Sequence, residues 1–175
     1  ILSATDLDDD PVTFTAVSSD AVNISTNISG TLLTLTPALN FNGSATISVT
    51  ANDGTEDSNT ETFTLTVSPV NDAPVLTDPE SQPTDEDIPL TITLLSSDVE
   101  NDDLTYSAVS DNENVSVSVS GDQLTMTPTS NYNGPANITV TVSDLFLTDE
   151  DSFALTVTPV NDAPTIELPD GFTFA

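Results

Sequence analysis

The 175-residue chain contains no lysine, arginine, histidine, cysteine or tryptophan, whereas aspartate and glutamate together number 29. Its formal net charge is therefore −29 at pH 7. Without side-chain cations the protein cannot neutralise phosphate groups, which excludes nucleic-acid binding and direct adhesion to anionic membranes. The missing histidine, cysteine and lysine also exclude Ser-His and Cys-His triads, Schiff-base chemistry and ordinary zinc sites.

Carboxylates are the chemical groups that remain in quantity. They suit two kinds of site, the binding of hard cations such as calcium and the paired acids of glycosidases. A glycosidase needs two acids that face each other across a cleft, but these acids cluster in the loops of a repeating sequence. We therefore expect no enzyme activity.

The absences leave some properties of the protein open. A chain without cysteine can belong to an oxidising or a reducing compartment. No apolar run approaches 18 residues, so the sequence predicts no membrane-spanning helix. The chain starts at Ile1 with neither an initiator methionine nor a signal peptide, and we expect it to be a segment or processed form of a longer polypeptide.

Internal repeats define the domain organisation. The sequence Pro-Val-Asn-Asp-Ala-Pro occurs at 69–74 and again at 159–164, and Asn-Phe-Asn-Gly at 40–43 returns as Asn-Tyr-Asn-Gly at 131–134. These offsets, near 90 residues, predict a tandem array. We expect a first module over 1–72 that lacks its opening strands, a second over 73–162, and at 163–175 the start of a third module or a donor strand.

The apolar residues of each module alternate with a period of two, which is typical of half-buried strands. Ala136, Ile138, Val140 and Val142 share one face of their stretch, and Val, Ile and Thr are abundant throughout. Helix start and stop signals are missing. The second module is predicted to have seven strands, near 75–78, 88–95, 103–109, 114–119, 123–127, 136–143 and 152–158. The fold class is therefore all-β, a tandem of seven-stranded immunoglobulin or cadherin-like Greek-key sandwiches.

The Asn-aromatic-Asn-Gly turn precedes a strand in both modules. Asn42 and Gly43 can adopt positive φ, and Gly134 is followed by Pro135, which interrupts strand pairing. We expect Phe41 and Tyr132 to close one end of each sandwich as part of the core.

Three further motifs carry a resemblance to a known family. Asp6-Leu7-Asp8 is similar to the Asp-x-Asp motif of cadherin repeats, Ala51-Asn52-Asp53 to their late-strand Ala-x-Asp motif, and Asn71-Asp72 to their Asn-Asp linker. With the Val-Asn-Asp-Ala-Pro boundary, the chain resembles most the cadherin-like tandem repeats of large bacterial surface and secreted proteins. This resemblance covers nearly the whole chain.

The resemblance implies calcium at the module junctions, with oxygen ligands from both neighbouring modules. Closely spaced carboxylates repel one another, and a divalent ion bound between them would replace that repulsion with attraction and hold the loops together. The alternative is that these residues are solvated turn acids. The implied ligands are Asn71, Asp72, Asp98, Glu100 and Asp144 at the central junction, Glu86, Asn161 and Asp162 at the following one, and Asp6, Asp8 and Asp53 as a half-site before the first module.

The sequence also departs from the cadherin pattern. Pro69 and Pro159 stand where the cadherin linker begins with aspartate, and the middle Asp-Arg-Glu motif is replaced by the Asn-aromatic-Asn-Gly turn. One or two ions per junction therefore fit better than three.

Five Asn-x-Ser/Thr sequons offer possible glycosylation sites, although a chain rich in these residues produces sequons by chance. The alternation places all of them except Asn42 facing solvent. The acceptors are Asn23, Asn27, Asn42, Asn114 and Asn137.

These features together predict an extracellular structural or adhesion protein at the cell surface, built as a calcium-stiffened rod or filament. Its partners would be neighbouring modules or further copies of the chain. The alternative is a carbohydrate-binding accessory module of a secreted protein, which would need several exposed aromatic side chains on one sheet.

The segment at 165–175 carries apolar residues that suit an added strand. Ile166, Leu168, Phe172 and Phe174 would be its anchors, and we expect the tail of one copy to complete the first module of the next by head-to-tail strand donation. The competing interpretation is that the sequence is a window on a longer array, with the missing strands located before Ile1.

The net charge generates a first prediction about salt. Because 29 negative charges repel one another without compensation, sodium chloride should raise the melting temperature by screening. Calcium chloride at the same ionic strength should raise it further if specific sites bind the ion. Differential scanning calorimetry in matched buffers measures both effects, and equal melting temperatures would leave screening as the sole cause.

Overall fold

The computed structural model describes residues 1–167, and those residues form fourteen β-strands and no helix. The prediction of an all-β fold is confirmed. The chain divides into two compact units, Ile1–Asn71 and the part from Asp72 onward. We call them unit 1 and unit 2 and describe each by itself.

Unit 1 contains five strands in two sheets. The first sheet has the order β1-β4-β5, and β2 and β3 form the second as a hairpin. All the pairings are antiparallel. The strands are β1 (Thr13–Ser18), β2 (Ile24–Ser29), β3 (Leu32–Pro37), β4 (Gly43–Asn52) and β5 (Glu61–Val67).

The described part of unit 2, residues 72–167, contains nine strands in three sheets with the orders β10-β13-β14-β7, β11-β12-β8 and β6-β9. Its pairings are antiparallel except that β7 runs parallel to β14. The strands are β6 (Val75–Leu76), β7 (Gln82–Asp85), β8 (Leu90–Thr93), β9 (Ser96–Ser97), β10 (Thr105–Ser110), β11 (Val115–Ser120), β12 (Gln123–Pro128), β13 (Gly134–Ser143) and β14 (Thr148–Thr158).

Several strands of unit 2 differ from the sequence-based expectation. Strand β7 was not predicted, because a proline and an aspartate in four residues suppress the strand signal; at a sheet edge that composition is tolerated. The predicted strand at 88–95 is shorter, ending at Thr93, and is followed by the separate two-residue strand β9. Strand β6 likewise covers only the first half of its predicted range.

Alternation along β13 places the core of unit 2. The side chains of Ala136, Ile138, Val140 and Val142 are buried, whereas Asn137 between them is exposed. Residues of β14, the neighbouring strand in the same sheet, and of β12, in another sheet, complete the core. They include Phe153, Leu155, Leu124 and Met126.

The same strands in unit 1 enclose a much smaller core, in which the fully buried residues are Ile24, Ala45 and Ile47. The pairing register is the same in both units, since Ile47 lies opposite Phe63 just as Ile138 lies opposite Phe153. Phe63 is nevertheless 43% exposed, compared with 4% for Phe153. Residues 1–71 contain no counterparts of β6, β7 and β8. In unit 2, Leu76 of β6 belongs to the core cluster that contains Phe153, and Leu90 and Ile92 of β8 pack against it.

The Asn-aromatic-Asn-Gly turn requires its glycine for a steric reason. A Cβ atom on Gly134 would lie 2.9 Å from the hydroxyl oxygen of Tyr132, and φ at this glycine is 143°. Tyr132 packs against the core of unit 2 and donates a hydrogen bond to the carbonyl of Pro135 at 2.9 Å. Positive φ also occurs at the first asparagine of the motif, as at Asn131 (60°). The sequence analysis expected it at the second asparagine, Asn42, but φ is not positive there.

The register match between the units generates a prediction about stability. Phe153→Ala should cost unit 2 about 3–5 kcal/mol, because it leaves a cavity under a closed sandwich. The equivalent Phe63→Ala should cost unit 1 less, roughly 1–2 kcal/mol, since much of that ring already faces water. Urea unfolding of the two variants measures the difference, and equal losses would contradict the open core.

Candidate metal centre

An aspartate-anchored loop precedes β10 in unit 2. One carboxylate oxygen of Asp98 accepts hydrogen bonds from the backbone N–H groups of Glu100 at 2.9 Å and Asp102 at 3.1 Å. Asn101 between them has φ of 61°, a conformation that asparagine tolerates. The second oxygen, Oδ2, is buried and has no hydrogen-bond partner.

Unit 1 repeats this loop in the same geometry. Asp6 accepts hydrogen bonds from the N–H groups of Asp8 at 2.8 Å and Asp10 at 3.0 Å, and Asp9 has φ of 61°. Since the spacing and the backbone conformation agree in both units, the loop is a feature of the repeat.

A second aspartate-anchored turn joins β13 to β14. Asp144 is 2% exposed, and its Oδ1 accepts the N–H groups of Phe146 at 2.7 Å and Leu147 at 2.6 Å. Asp53 makes the same two bonds in unit 1, with the N–H groups of Thr55 at 2.7 Å and Glu56 at 2.8 Å.

The residue after each of these aspartates has positive φ. In unit 1 it is Gly54, at 100°, and in unit 2 it is Leu145, at 81°. Leucine rarely adopts this conformation, because its Cβ approaches the following carbonyl. The turn in unit 2 therefore carries local strain that the turn in unit 1 does not.

Strand pairing brings the acidic loops of unit 2 to one end of that unit. Thr105 pairs with Ser143, which places the loop before β10 beside the turn that contains Asp144. Val75 pairs with Ser97, so the segment that leads into β6 approaches the Asp98 loop. The backbone N–H of Asp72 donates to Oε2 of Glu100 at 3.2 Å.

Two of the three residues predicted for the half-site of unit 1 lie near each other. Asp6 and Asp53 line one shallow cavity, together with Glu56 and Asp57. Glu56 and Asp57 were not among the predicted ligands, although they follow Asp53 closely in the acidic stretch at 53–57. Asp8 lies in the same loop as Asp6 and is exposed.

The residues predicted for the following junction lie at the opposite end of the strands of unit 2. Glu86 is 6% exposed; its Oε1 accepts the backbone N–H of Val160 at 2.6 Å, and its Oε2 accepts a bond from the Asn133 side chain at 3.4 Å. Glu86 thus holds the chain directly before Asn161 and Asp162. In this geometry its bonds go to protein donors, and a role as metal ligand stays a prediction.

The donor chemistry fits a hard cation, because every candidate atom is oxygen and the buried Oδ2 of Asp98 lacks a partner. The spacing fits less well. Within residues 1–167, no three acidic side chains come close enough together to form a metal site by themselves. A cation there would need further oxygen ligands from amide side chains, backbone carbonyls or water.

Another acidic residue, Asp149, has a structural role that the sequence analysis missed. Its Oδ2 accepts the backbone N–H of Leu76 at 2.8 Å and so fixes β6 beside β14. The repeat alignment offers only a weak signal, since Asn59 occupies the matching position.

The glycosylation candidates divide by exposure. Asn27, Asn42 and Asn137 are exposed. Asn23 and Asn114 were expected to face solvent but are half-buried, because their side-chain amides donate hydrogen bonds to Asp20 and Asn112 respectively. Modification of any of the five stays a prediction.

The geometry defines a class of protein, a tandem of immunoglobulin-like β-sandwich modules with repeated acidic loops. Residues 71–158 match the bacterial Ig domain family, and residues 1–68 match the cadherin-like domain family. The chain therefore belongs to the bacterial Ig domain family, with a cadherin-like first module. The resemblance to cadherin-like repeats is confirmed.

Solved structures agree with this fold. Human protocadherin-24 EC1-2 has a TM-score of 0.58 at 16% identity, with 93% of this chain and 87% of that chain covered. Human mucin-like protocadherin EC1-2 has a TM-score of 0.52 at 19% identity, with coverage of 86% and 84%. At these identities the likeness shows the fold alone. No curated protein sequence matches the chain.

Part of a larger enzyme is also similar. The endo-fucoidan hydrolase MfFcnA4 of glycoside hydrolase family 107 has a TM-score of 0.43 at 20% identity over 91% of this chain. The chain spans about 25% of that enzyme's length.

Within residues 1–167 there is no helix of the length and apolarity that a membrane span requires.

The two N–H bonds to Asp53 generate a prediction about pH. They stabilise the ionised carboxylate and lower its pKa from the ordinary value of 3.8. A carboxyl group with a lowered pKa stabilises the folded state at pH values above its ordinary pKa. That contribution is lost as the pH falls through the folded-state pKa. Asp53→Asn should therefore destabilise unit 1 at neutral pH, with a difference that shrinks in acid.

Carbon-13 NMR titration of the Asp53 carboxyl group measures the pKa directly. The thermal stability of Asp53→Asn at pH 7 and pH 3 then measures the linkage. A midpoint at or above 3.8, or a stability difference that is the same at both pH values, would contradict the prediction.

Proposed function

We propose that this chain is an extracellular structural or adhesion segment, in which calcium bound by the acidic loops of one module stiffens the joint to the module before it. The observation that carries the proposal is the buried, unpartnered Oδ2 of Asp98, whose Oδ1 already accepts two backbone N–H groups. An anionic oxygen that is removed from water without a donor is costly unless a cation compensates it.

The amide-anchored loops supply the order that a cation site needs. Two N–H bonds fix Asp98, and two fix Asp144, so neither carboxylate has to be immobilised when an ion binds. Calcium would supply the positive charge that this chain's side chains lack. Asn71 and Asp72 stand where unit 1 gives way to unit 2, and their oxygens would complete the site from the linker.

The same logic extends along the array. Asp6, Asp8 and Asp53 would serve the joint before unit 1, and Glu86, Asn161 and Asp162 the joint after unit 2. Repetition of both anchored loops in unit 1 supports this extension. A chain of such modules would hold whatever it carries away from the cell surface.

Family membership supports the location and the absence of catalysis. Bacterial Ig and cadherin-like domains are typical of extracellular or surface proteins and are generally non-enzymatic. A carbohydrate-binding role gains no comparable support. Among residues 1–167, only Phe63 and Phe146 are exposed aromatics, and they belong to different units.

Calcium should stabilise unit 2 if the proposal is correct. Extracellular modules bind the ion with a Kd on the order of 10⁻⁴ to 10⁻³ M. At 10 mM calcium the weaker limit corresponds to about 1.4 kcal/mol of stabilisation, or roughly 5 °C in melting temperature for a domain of this size. Asp98→Asn, which keeps the shape of the side chain and removes its charge, should abolish most of this shift.

Asp122→Asn is the matched control, because Asp122 is exposed in the hairpin turn between β11 and β12. It removes one charge as well, and should leave the calcium shift intact. Small-angle scattering with and without a chelator then tests whether the ion restricts the joint. Equal melting curves for the two variants, or scattering profiles that do not respond to chelation, would refute the proposal.

A further inference from the structure

Strand β10 of unit 2 lies at the edge of its sheet. It pairs with β13, and within residues 1–167 no strand pairs with its other side. The N–H of Asp111 donates to the carbonyl of Asn137 at 3.0 Å, directly after the last paired residue, Ser110. Backbone groups point alternately to the two sides of a strand, so the N–H and C=O groups of Tyr106, Ala108 and Ser110 point away from β13.

This edge lacks the sequence features that keep sheet edges of different molecules apart, which are charged residues, prolines and bulges. The opposite edge strand of the same sheet, β7, contains Pro83 and Asp85. In contrast, residues 104–110 contain no proline and no charged residue, and the register with β13 is continuous. Val109 adds an apolar side chain that is 63% exposed. The edge of β10 therefore suits the addition of another strand.

The matching edge strand of unit 1, β1, repeats the sequence but has a capped edge. Residues 16–18 and 108–110 are both Ala-Val-Ser. The carbonyl of Ala16 accepts a hydrogen bond from the hydroxyl of Thr26 in β2 at 3.0 Å. The strand register places Val117 of β11 at the position that matches Thr26. Valine has no hydroxyl, so the equivalent carbonyl of unit 2 has no donor from that position.

We propose that the edge of β10 is a self-association site, where β10 of a second copy of the chain adds in antiparallel orientation. A two-fold axis would pass between the two Ala108 residues, and Tyr106 of each copy would lie opposite Ser110 of the other. These pairs would form about six backbone hydrogen bonds between the copies. The contact would join two four-stranded sheets into one.

Charge favours a second copy at this edge over other contacts between copies. Two molecules that each carry −29 repel one another, and the repulsion is least where acids are few. At the end of the strand, the Asp111 carboxylate accepts the backbone N–H of Asn137 at 2.7 Å, which compensates part of its charge. Beyond the strand, Asp103 of one copy would face Glu113 of the other. Since salt screens this repulsion, association should strengthen as sodium chloride is added.

The contact is small. Stable interfaces bury about 1,200–2,000 Å² in total, and a single six-residue strand covers less than that. We therefore expect a weak dimer that forms only at high protein concentration.

This contact is separate from the strand donation predicted for residues 165–175. The anchors Leu168, Phe172 and Phe174 lie outside the described residues, and Ile166 is exposed. Donation by that segment stays a prediction, and substitutions in β10 leave the segment unchanged.

Sedimentation equilibrium of the full chain tests the proposal. A chelator is present throughout, so that the result does not depend on calcium. The average mass of the wild-type chain should rise from one chain toward two with concentration, and should rise further with added sodium chloride. Val109→Asp should remove the rise, because it places a carboxylate beside the added strand. Val17→Asp is the matched control, since Val17 is also 63% exposed but lies on the capped edge, and it should leave the rise unchanged.

Two further variants exchange the cap between the units. Val117→Thr should bring a hydroxyl to the carbonyl of Ala108, as Thr26 does for Ala16, and should weaken the association without changing an exposed side chain. Thr26→Val should open the edge of β1 and give masses above two chains. Thermal unfolding of each variant verifies that it folds.

A cross-link tests the register, and the absence of natural cysteine makes its assignment unambiguous. The two-fold pairing places Ser107 of one copy opposite Val109 of the other. A chain with Ser107→Cys mixed with a chain with Val109→Cys should therefore form a disulfide-linked dimer on mild oxidation faster than either variant does alone.

Three results would overturn the inference. The first is an average mass of one chain at every protein and salt concentration. The second is an equal effect of Val109→Asp and Val17→Asp, which would place the contact elsewhere on the chain. The third is a mixed pair of cysteine variants that links no faster than each variant by itself.

Discussion

A carboxylate held by successive backbone N–H groups is the interaction on which the loops of this protein depend. With no side-chain cation in the sequence, an aspartate or glutamate that leaves water has only N–H and hydroxyl donors to compensate its charge. Asp6, Asp53, Asp98 and Asp144 each use two N–H groups of their own loop. The arrangement fixes loop shape locally, and it concentrates negative charge at the end of each module where a cation is proposed to bind.

The strands depend on a different constraint, the period-two alternation that pairs the same positions in both units. Ala45, Ile47 and Val49 repeat as Ala136, Ile138 and Val140 in an identical register. The two units differ in what lies over this framework. Leu76 of β6 and Leu90 and Ile92 of β8 pack on the core of unit 2, and unit 1 has the same inward-facing residues without counterparts of those strands. Phe63 is therefore exposed because the neighbouring strands are missing, since the sequence pattern of its own strand is unchanged.

Much of this architecture could be predicted from the sequence because its signals are local. The alternation identified the long strands β13 and β14, and the repeat of 69–74 at 159–164 indicated two modules. β7 could not be identified in this way, since Pro83 and Asp85 lack any strand signal and are held by pairing with β14 across about 70 residues of chain. The same limit applies to Asp149, whose contact with Leu76 depends on the packed fold.

The candidate site shows the limit of motif reasoning more sharply. The motifs identified Asp98 and Asp144 as residues of one end of unit 2, and strand pairing places them there. The motifs could not show that amide donors occupy one oxygen of each, or that Oδ2 of Asp98 is buried without a partner. Nor could they show that Glu86 is bound to the Val160 N–H. Such details depend on side-chain geometry, which spacing along the chain does not determine.

The strained conformation of Leu145 makes the two matching turns differ in what holds their shape. At the matching turn Gly54 adopts positive φ without a steric penalty. A leucine at φ of 81° costs on the order of 1–3 kcal/mol, and the two N–H bonds to Asp144 help to hold it there. Loss of Asp144 would remove these two bonds and release Leu145 to a relaxed backbone, so the shape of this turn depends on the aspartate more than that of its glycine-containing counterpart does.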